Sequence, residues 1–175
     1  GERFGSALAA VLFGDAEPGG RLPLTFPRAR AHLPGGDHEP DSLPTGLDYD
    51  ADGGLGYRSP GIREHGAVFG FGHGLGYATS SCEVTGHEVV DGRLLIEFSV
   101  TNQSTRDTVH LTQAYAEIGG SAPELIGIVR VGVAPGTQGT ARLEVAPAAI
   151  ARWSPQAGRR ISVDGRHRLL LGDSS

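Results

Sequence analysis

Lysine and methionine are absent from these 175 residues, and cysteine and tryptophan occur once each. Fifteen arginines therefore carry all the side-chain positive charge outside histidine. Together with abundant alanine, glycine and proline, that usage reflects a GC-rich genome rather than a function. A single thiol, Cys82, excludes an internal disulfide and leaves both a secreted and a cytoplasmic bacterial location open. No apolar run approaches the ~18 residues that cross a bilayer, so no membrane partner is expected. The net charge is −5, and the basic pairs Arg159-Arg160 and Arg166 with Arg168 read as solvated strand ends. That balance argues against nucleic acid, whose phosphates demand clustered positive charge. The 28 glycines and 11 prolines follow no collagen-like period and instead raise the expected turn content.

Helical periodicity is present at once. Phe4, Ala7, Leu8, Val11 and Leu12 fall at i, i+3, i+4, i+7 and i+8, the stripe of an amphipathic helix. Gly14 is placed to end it in a left-handed cap, and Glu17-Pro18-Gly19-Gly20 reads as a turn. Leu22, Leu24 and Phe26 alternate, which predicts a strand over 21–26 that Pro23 confines to an edge or a strand start. The chain begins inside the helical pattern without methionine or signal peptide, so the natural protein is expected to continue upstream.

Residues 27–76 show no sustained period, with turn signals at Leu33-Pro34-Gly35-Gly36 and Ala51-Asp52-Gly53-Gly54. So long a stretch is unusual inside a compact domain. It is either disordered or a connector packed on something else, and Tyr49, Tyr57, Phe69, Phe71 and Tyr77 favour packing. From about Ala78 short strands take over. Leu94, Ile96, Phe98 and Val100 alternate, as do Leu111, Gln113 and Tyr115. Leu125, Val129, Val131 and Val133 share one parity, followed by Ala141, Leu143 and Val145, by Ile161 and Val163, and by Leu169 and Leu171. Turns fall at Asp91-Gly92, Gly119-Gly120, Pro135-Gly136 and Asp164-Gly165. Six or seven such strands predict a β-sandwich of the immunoglobulin or fibronectin III type.

The fold class is therefore mainly β, in three parts: 1–26, a helix and an edge strand; 27–77, an irregular connector; and 78–175, the sandwich. One helix and one edge strand cannot bury their own apolar face. They must complete a sheet supplied by residues outside this chain or by another chain, whereas the sandwich is large enough to fold alone.

Eight ordered stretches resemble glycoside hydrolase family 3. Gly1 to Pro27 (GERFGSALAAVLFGDAEPGGRLPLTFP) is similar to the family's G-Q-E-G-G-x-A-x-A-D-V-L-F-G-x-x-N-P-S-G-R-L-P-x-T-F-P. Gly56-Tyr57-Arg58 and then Phe69-Gly70-Phe71-Gly72-His73-Gly74-Leu75-Gly76-Tyr77 resemble its G-Y-R and F-P-F-G-H-G-L-S-Y. Thr101-Asn102, Gln113-Ala114-Tyr115, Pro123-Glu124-Leu125 with Gly127, Ala134-Pro135-Gly136 and Leu171-Gly172-Asp173-Ser174-Ser175 resemble its fibronectin III-like domain. Departures are Glu2-Arg3 for Gln-Glu, Ser59-Pro60 for an aromatic pair, and Gly70 for the central proline.

The resemblance implies a barrel, an α/β sandwich and a fibronectin III-like domain, with residues 1–26 as the last helix and strand of the α/β sandwich. It implies retaining hydrolysis of β-linked terminal sugars, β-glucosides first, by two carboxyl groups about 5 Å apart. Both would lie upstream of Gly1, so no residue here is assigned a catalytic role. The substrate-binding residues are not identified. Upstream catalytic domains and a β-glycoside are the implied partners, a homodimer is possible, and no cofactor is expected. The rival reading is a free-standing carbohydrate- or protein-binding sandwich.

Other candidates weigh towards structure. Asp48, Asp50 and Asp52 before Gly53 imitate a calcium loop, but position twelve is Ser59 where a bidentate glutamate belongs, so no metal is expected. His32, His38, Asp37 and Glu39 match no closed zinc spacing. His73 is expected buried and hydrogen-bonded, Cys82 structural, and Trp153 in the core rather than a sugar-stacking platform. Gly70 to Gly76 is no dinucleotide fingerprint. Tyr57, Arg58 and Phe71 come nearest to a sugar site, with packing and an arginine–carboxylate tie as their leading roles. Phe69, Phe71 and Tyr77 are expected to anchor the connector.

Overall fold

A computed structural model describes residues 1–34, 54–163, 165 and 167–172. The periodic first segment forms helix α1 (Phe4–Leu12), capped by Phe13, with Gly14 turning left-handed at φ +82°. Nothing on α1 is buried. Pro23 has a larger effect than the alternation suggested. The predicted 21–26 strand shrinks to β1 (Phe26–Pro27), while Leu22 exchanges backbone bonds with the 72–73 turn: its N–H donates to His73 O at 2.9 Å and its C=O accepts from Gly72 N–H at 2.8 Å.

The described part of the connector is more regular than its sequence. It holds 3₁₀ turns at Arg30–His32 and Gly56–Arg58, helix α2 (Pro60–His65) and strand β2 (Ala67–Phe69), which pairs antiparallel with β1. These elements span three to six residues each, too short for a period to show.

The sandwich consists of two antiparallel three-stranded sheets. One runs β3 (Ser80–Val90), β4 (Arg93–Asn102), β7 (Gln138–Val145). The other runs β10 (Arg168–Gly172), β5 (Thr108–Glu117), β6 (Glu124–Val133). A separate hairpin, β8 (Arg152–Ser154) with β9 (Arg159–Ile161), completes the described strands. Ile96, Phe98 and Val100 alternate into the core at 3%, 0% and 0% exposure, facing Ala114, Val131 and Val133. Burying each of the larger side chains contributes about 1.5–3 kcal/mol. Asp91 and Gly92 both take positive φ, 51° and 75°, as a two-residue hairpin between β3 and β4 requires. Asn102, 0% exposed, locks the far end: its amide donates to Val133 O at 3.0 Å and Arg106 O at 2.7 Å.

Three strand readings change. β3 gave no sequence signal because it is an edge strand, mostly exposed and bulged between Val84 and Gly86. On β6 a bulge opposite Ala114 and Tyr115 adds one residue, so Ile126 joins Val129 and Val131 at the core and Leu125 turns to the other face. On β5 the side facing the second sheet is His110, Thr112, Ala114 and Ala116. Gln113 and Tyr115 point outward, yet they are 2% and 4% exposed. Something covers the outside of this sheet.

Candidate functional site

The cover is the connector. Tyr57 lays its ring against Phe71 at 5.1 Å and meets Tyr115 edge-on at 5.7 Å. Its hydroxyl oxygen accepts the Leu125 N–H at 3.0 Å, and Tyr115 donates its own hydroxyl to Gln113 Oε1 at 2.8 Å. The outer face of the β10-β5-β6 sheet thus carries an aromatic layer in which every phenol has a partner. Beside it, Arg58 reaches Glu124 at 3.2 Å, and Arg152 binds the same carboxylate oxygen from the β8–β9 hairpin. One carboxylate ties connector, sheet and hairpin together. A cavity of about 410 Å³ remains under the connector, walled by Tyr57, Ile62, Tyr115, Pro123 and Leu171 with Arg63 at its edge.

Gly72 makes this close approach possible. Its φ is +81°, and a Cβ built on it would lie 2.8 Å from the Gln113 amide carbon. A side chain would meet both a strained backbone and an occupied space.

A second junction joins α1 to the sandwich. The Tyr77 hydroxyl donates to Val11 O at 2.7 Å, a carbonyl at the helix end that also accepts the Gly14 N–H at 3.2 Å. Arg106 donates to Gly14 O and stands 5.1 Å from the centre of the Tyr77 ring. Glu17 accepts the backbone N–H groups of Tyr77 and Ala78 at 3.0 and 3.1 Å, with Arg106 3.9 Å away. Removing that carboxylate strands two donors beside a part-buried guanidinium. Glu17→Ala should therefore cost about 2–3 kcal/mol, read as a lower midpoint in thermal unfolding with the secondary structure unchanged at low temperature.

The third feature is an apolar face without a partner. Phe13 and Leu75 are 84% and 80% exposed, and Phe4, Leu12, Leu24, Phe26, Phe69 and Tyr77 are also open to solvent. Phe26 and Phe69 stack edge-to-face at 6.0 Å, and Phe69 lies 5.0 Å from the His73 ring. Together with α1 they border a groove of about 870 Å³ lined by Val11, Leu22 and Tyr77 among others. So much contiguous apolar surface marks an interface.

The other sequence candidates fall apart spatially. Asp37, His38, Glu39, Asp48, Asp50, Asp52 and Gly53 lie outside the described residues. Ser59 is buried at the start of α2, and His32 stacks at 4.3 Å on His65, a pairing that no sequence spacing suggested. Among the described residues no group of three or more His, Cys, Asp or Glu side chains could hold a metal ion, and no helix is long and apolar enough to cross a membrane. His73 is half-buried rather than buried, and the hydrogen bonds seen there involve its backbone. Cys82 is exposed, its Sγ 3.6 Å from Thr112 Oγ1. Trp153 corrects the core expectation outright: it is 63% exposed, because its hairpin forms a sheet of its own with no second sheet facing it. Sequence reasoning missed Glu17 and Arg106 as a junction. An isolated Glu-Pro-Gly-Gly turn and a loop arginine carry no periodic signal.

Residues 1–77 match the glycosyl hydrolase family 3 C-terminal domain and residues 108–175 the fibronectin type III-like domain. The chain is 35% identical over its whole length to a β-glucosidase of Rhizobium radiobacter, covering 23% of that protein. It is 31% identical, again over its whole length, to a xylan 1,4-β-xylosidase of Xylanibacter ruminicola, covering 19% of it. Among solved structures, the β-glucosidase DesR of Streptomyces venezuelae in complex with D-glucose superposes with a TM-score of 0.86 at 26% identity, over 97% of this chain and 23% of that one. The β-glucosidase of Kluyveromyces marxianus in complex with glucose gives 0.85 at 26% identity, over 98% and 22%. The chain thus spans about a fifth to a quarter of the length of these relatives. It belongs to glycosyl hydrolase family 3, carrying that family's C-terminal domain and its fibronectin type III-like domain.

Proposed function

We propose that this chain is the C-terminal section of a retaining β-glycosidase, acting on terminal β-linked sugars and on β-glucosides first. The sandwich (78–175) and its connector (27–77) brace catalytic domains contributed by the rest of a longer protein. Residues 1–26 contribute the last helix and strand of an α/β sandwich domain. The observation that carries this reading is the unpartnered apolar face of α1, Phe13, Phe26, Phe69 and Leu75. A free-standing binding module would gain nothing from half of another domain's core. The likeness to β-glucosidases over the whole chain supports the choice of substrate class.

In this reading the nucleophile and the acid/base come from outside the chain, and this section contributes position. Connector and sandwich are fixed to each other through Tyr57, Arg58 and Gly72, and to the catalytic side through Glu17, Tyr77 and Arg106. The test is to express the longer protein and follow an aryl β-glucoside by proton NMR. The first sugar released should carry the β-anomeric configuration, as retention demands. Release of α-anomer first, or no turnover of any aryl β-glycoside, would defeat the proposal.

A further inference from the structure

Arginines on the outside of the sandwich are generally matched. Arg93 pairs with Glu144, Arg142 with Glu97, and Arg168 stands 3.8 Å from Glu117, Arg130 on β6 being the exception among the described arginines of the two three-stranded sheets. The β8–β9 hairpin breaks this pattern. Between Glu144 and Asp164 the chain holds three arginines and no acidic residue, in a protein of net charge −5. Arg152 is spent on Glu124, which it shares with Arg58. Arg160 donates only to carbonyls, Ala151 O at 2.9 Å and Ala148 O at 3.4 Å, and neither it nor Arg159 forms an ion pair among the described residues.

The single tryptophan sits in this locus. Trp153 and Arg160 are directly opposed across the hairpin, so their side chains leave the same face from Cβ atoms about 5 Å apart. Arg159 adds charge from the turn end. The hairpin is also distant from the apolar face left for the catalytic domains. That face meets the sandwich where Arg106 binds Gly14 O, just before Thr108 begins β5. The hairpin is held at the other end of β5, where Arg152 binds Ser121 and approaches Ile118 O at 3.4 Å. A ten-residue strand separates the two by about 30 Å.

We propose that the face of the β8–β9 hairpin carrying Trp153 and Arg160 binds glycan chains that bear carboxylates. A pyranose offers an apolar ring face that stacks on an indole, and a uronate places its carboxylate beside that ring, within reach of a guanidinium. A neutral glycan would use the indole and leave the charge unused, whereas an acidic protein segment lacks the flat ring face. The choice of a glycan rests on the reading of the longer protein as a glycosidase. The site itself would concentrate the chain on the enzyme without taking part in bond cleavage.

The test exploits Trp153 being the only tryptophan of the 175-residue chain, so its fluorescence reports on this site alone. The probes are a β-1,4-linked glucuronate tetramer and cellotetraose, which share a backbone and differ in the C6 carboxylates. At about 20 mM salt the glucuronate tetramer should quench the fluorescence saturably and bind about tenfold tighter than cellotetraose, an advantage that shrinks at about 500 mM salt. By calorimetry Trp153→Ala should lose the binding of both tetramers. Arg160→Gln should keep weak binding of both and lose the preference. Circular dichroism checks the fold of each variant, and Arg160→Gln keeps the question decidable should Trp153→Ala unfold. Unchanged fluorescence at millimolar tetramer overturns the proposal. So do equal, salt-insensitive responses to the two probes, or undiminished binding by Trp153→Ala. Turnover of a neutral aryl β-glucoside by the longer protein decides the glycosidase reading separately, since binding by this chain does not depend on it.

Discussion

The 175-residue chain by itself should release no nitrophenol from an aryl β-glucoside above the buffer rate, even when correctly folded. Retaining hydrolysis needs two carboxyl groups about 5 Å apart across a bound sugar, one ionised as nucleophile and one protonated as acid. The carboxylates at the junctions described here are engaged elsewhere. Glu17 holds two backbone N–H groups, Glu124 is clamped by Arg58 and Arg152, Glu97 by Arg142 and Glu144 by Arg93. Glu97 in turn raises the Arg142 pKa through its hydrogen bond and charge. Losing the catalytic pair removes most of an acceleration that is commonly about 10⁶-fold or more. Turnover by the purified chain that disappears on Glu17→Gln or Glu124→Gln would show that the chain carries its own chemistry.

Gly72→Val, made in the longer protein, should lower stability by about 3 kcal/mol or more. Two costs combine. A β-branched residue at φ +81° pays about 1–2 kcal/mol for the left-handed backbone. Its Cβ also enters space held by the Gln113 amide, which is itself buried and bonded to Tyr115, adding about 1–3 kcal/mol of overpacking. Phe71→Ala is the complementary probe. The ring packs on Tyr57 but is only half-buried, so its removal should cost about 2–3 kcal/mol, below the range for a fully buried phenylalanine. If the connector positions domains without touching sugar, as proposed, both variants should lower the melting temperature and kcat together. If Phe71→Ala left the melting temperature unchanged and raised only KM, the ring would be a sugar-binding residue.

The strands with a clean alternation were legible in the sequence. Ile96, Phe98 and Val100, and Leu143 with Val145, point at the core as their period predicts, and α1 forms where its stripe lies. The β6 register was not legible, because a bulge inserts a residue without leaving a trace in composition. The aromatics Tyr57, Phe71 and Tyr77 stood out from the connector, and each meets a partner across it. Trp153 was misread, since residue type says that a large aromatic wants contact without saying which side of the protein supplies it.

By itself the sequence determined the mainly β class, the helix, the turns at Asp91-Gly92 and Gly136, and an N-terminal part unable to bury its own apolar face. These follow from local periodicity and from backbone preferences that act over a few residues. Only the tertiary structure decided that Gln113 and Tyr115 lie beneath the connector, that Glu124 serves two arginines, and that Glu17 and Arg106 join α1 to the sandwich. Each of those contacts links residues far apart in the chain, and pairing at such distances is set by how the layers close on one another rather than by any local pattern.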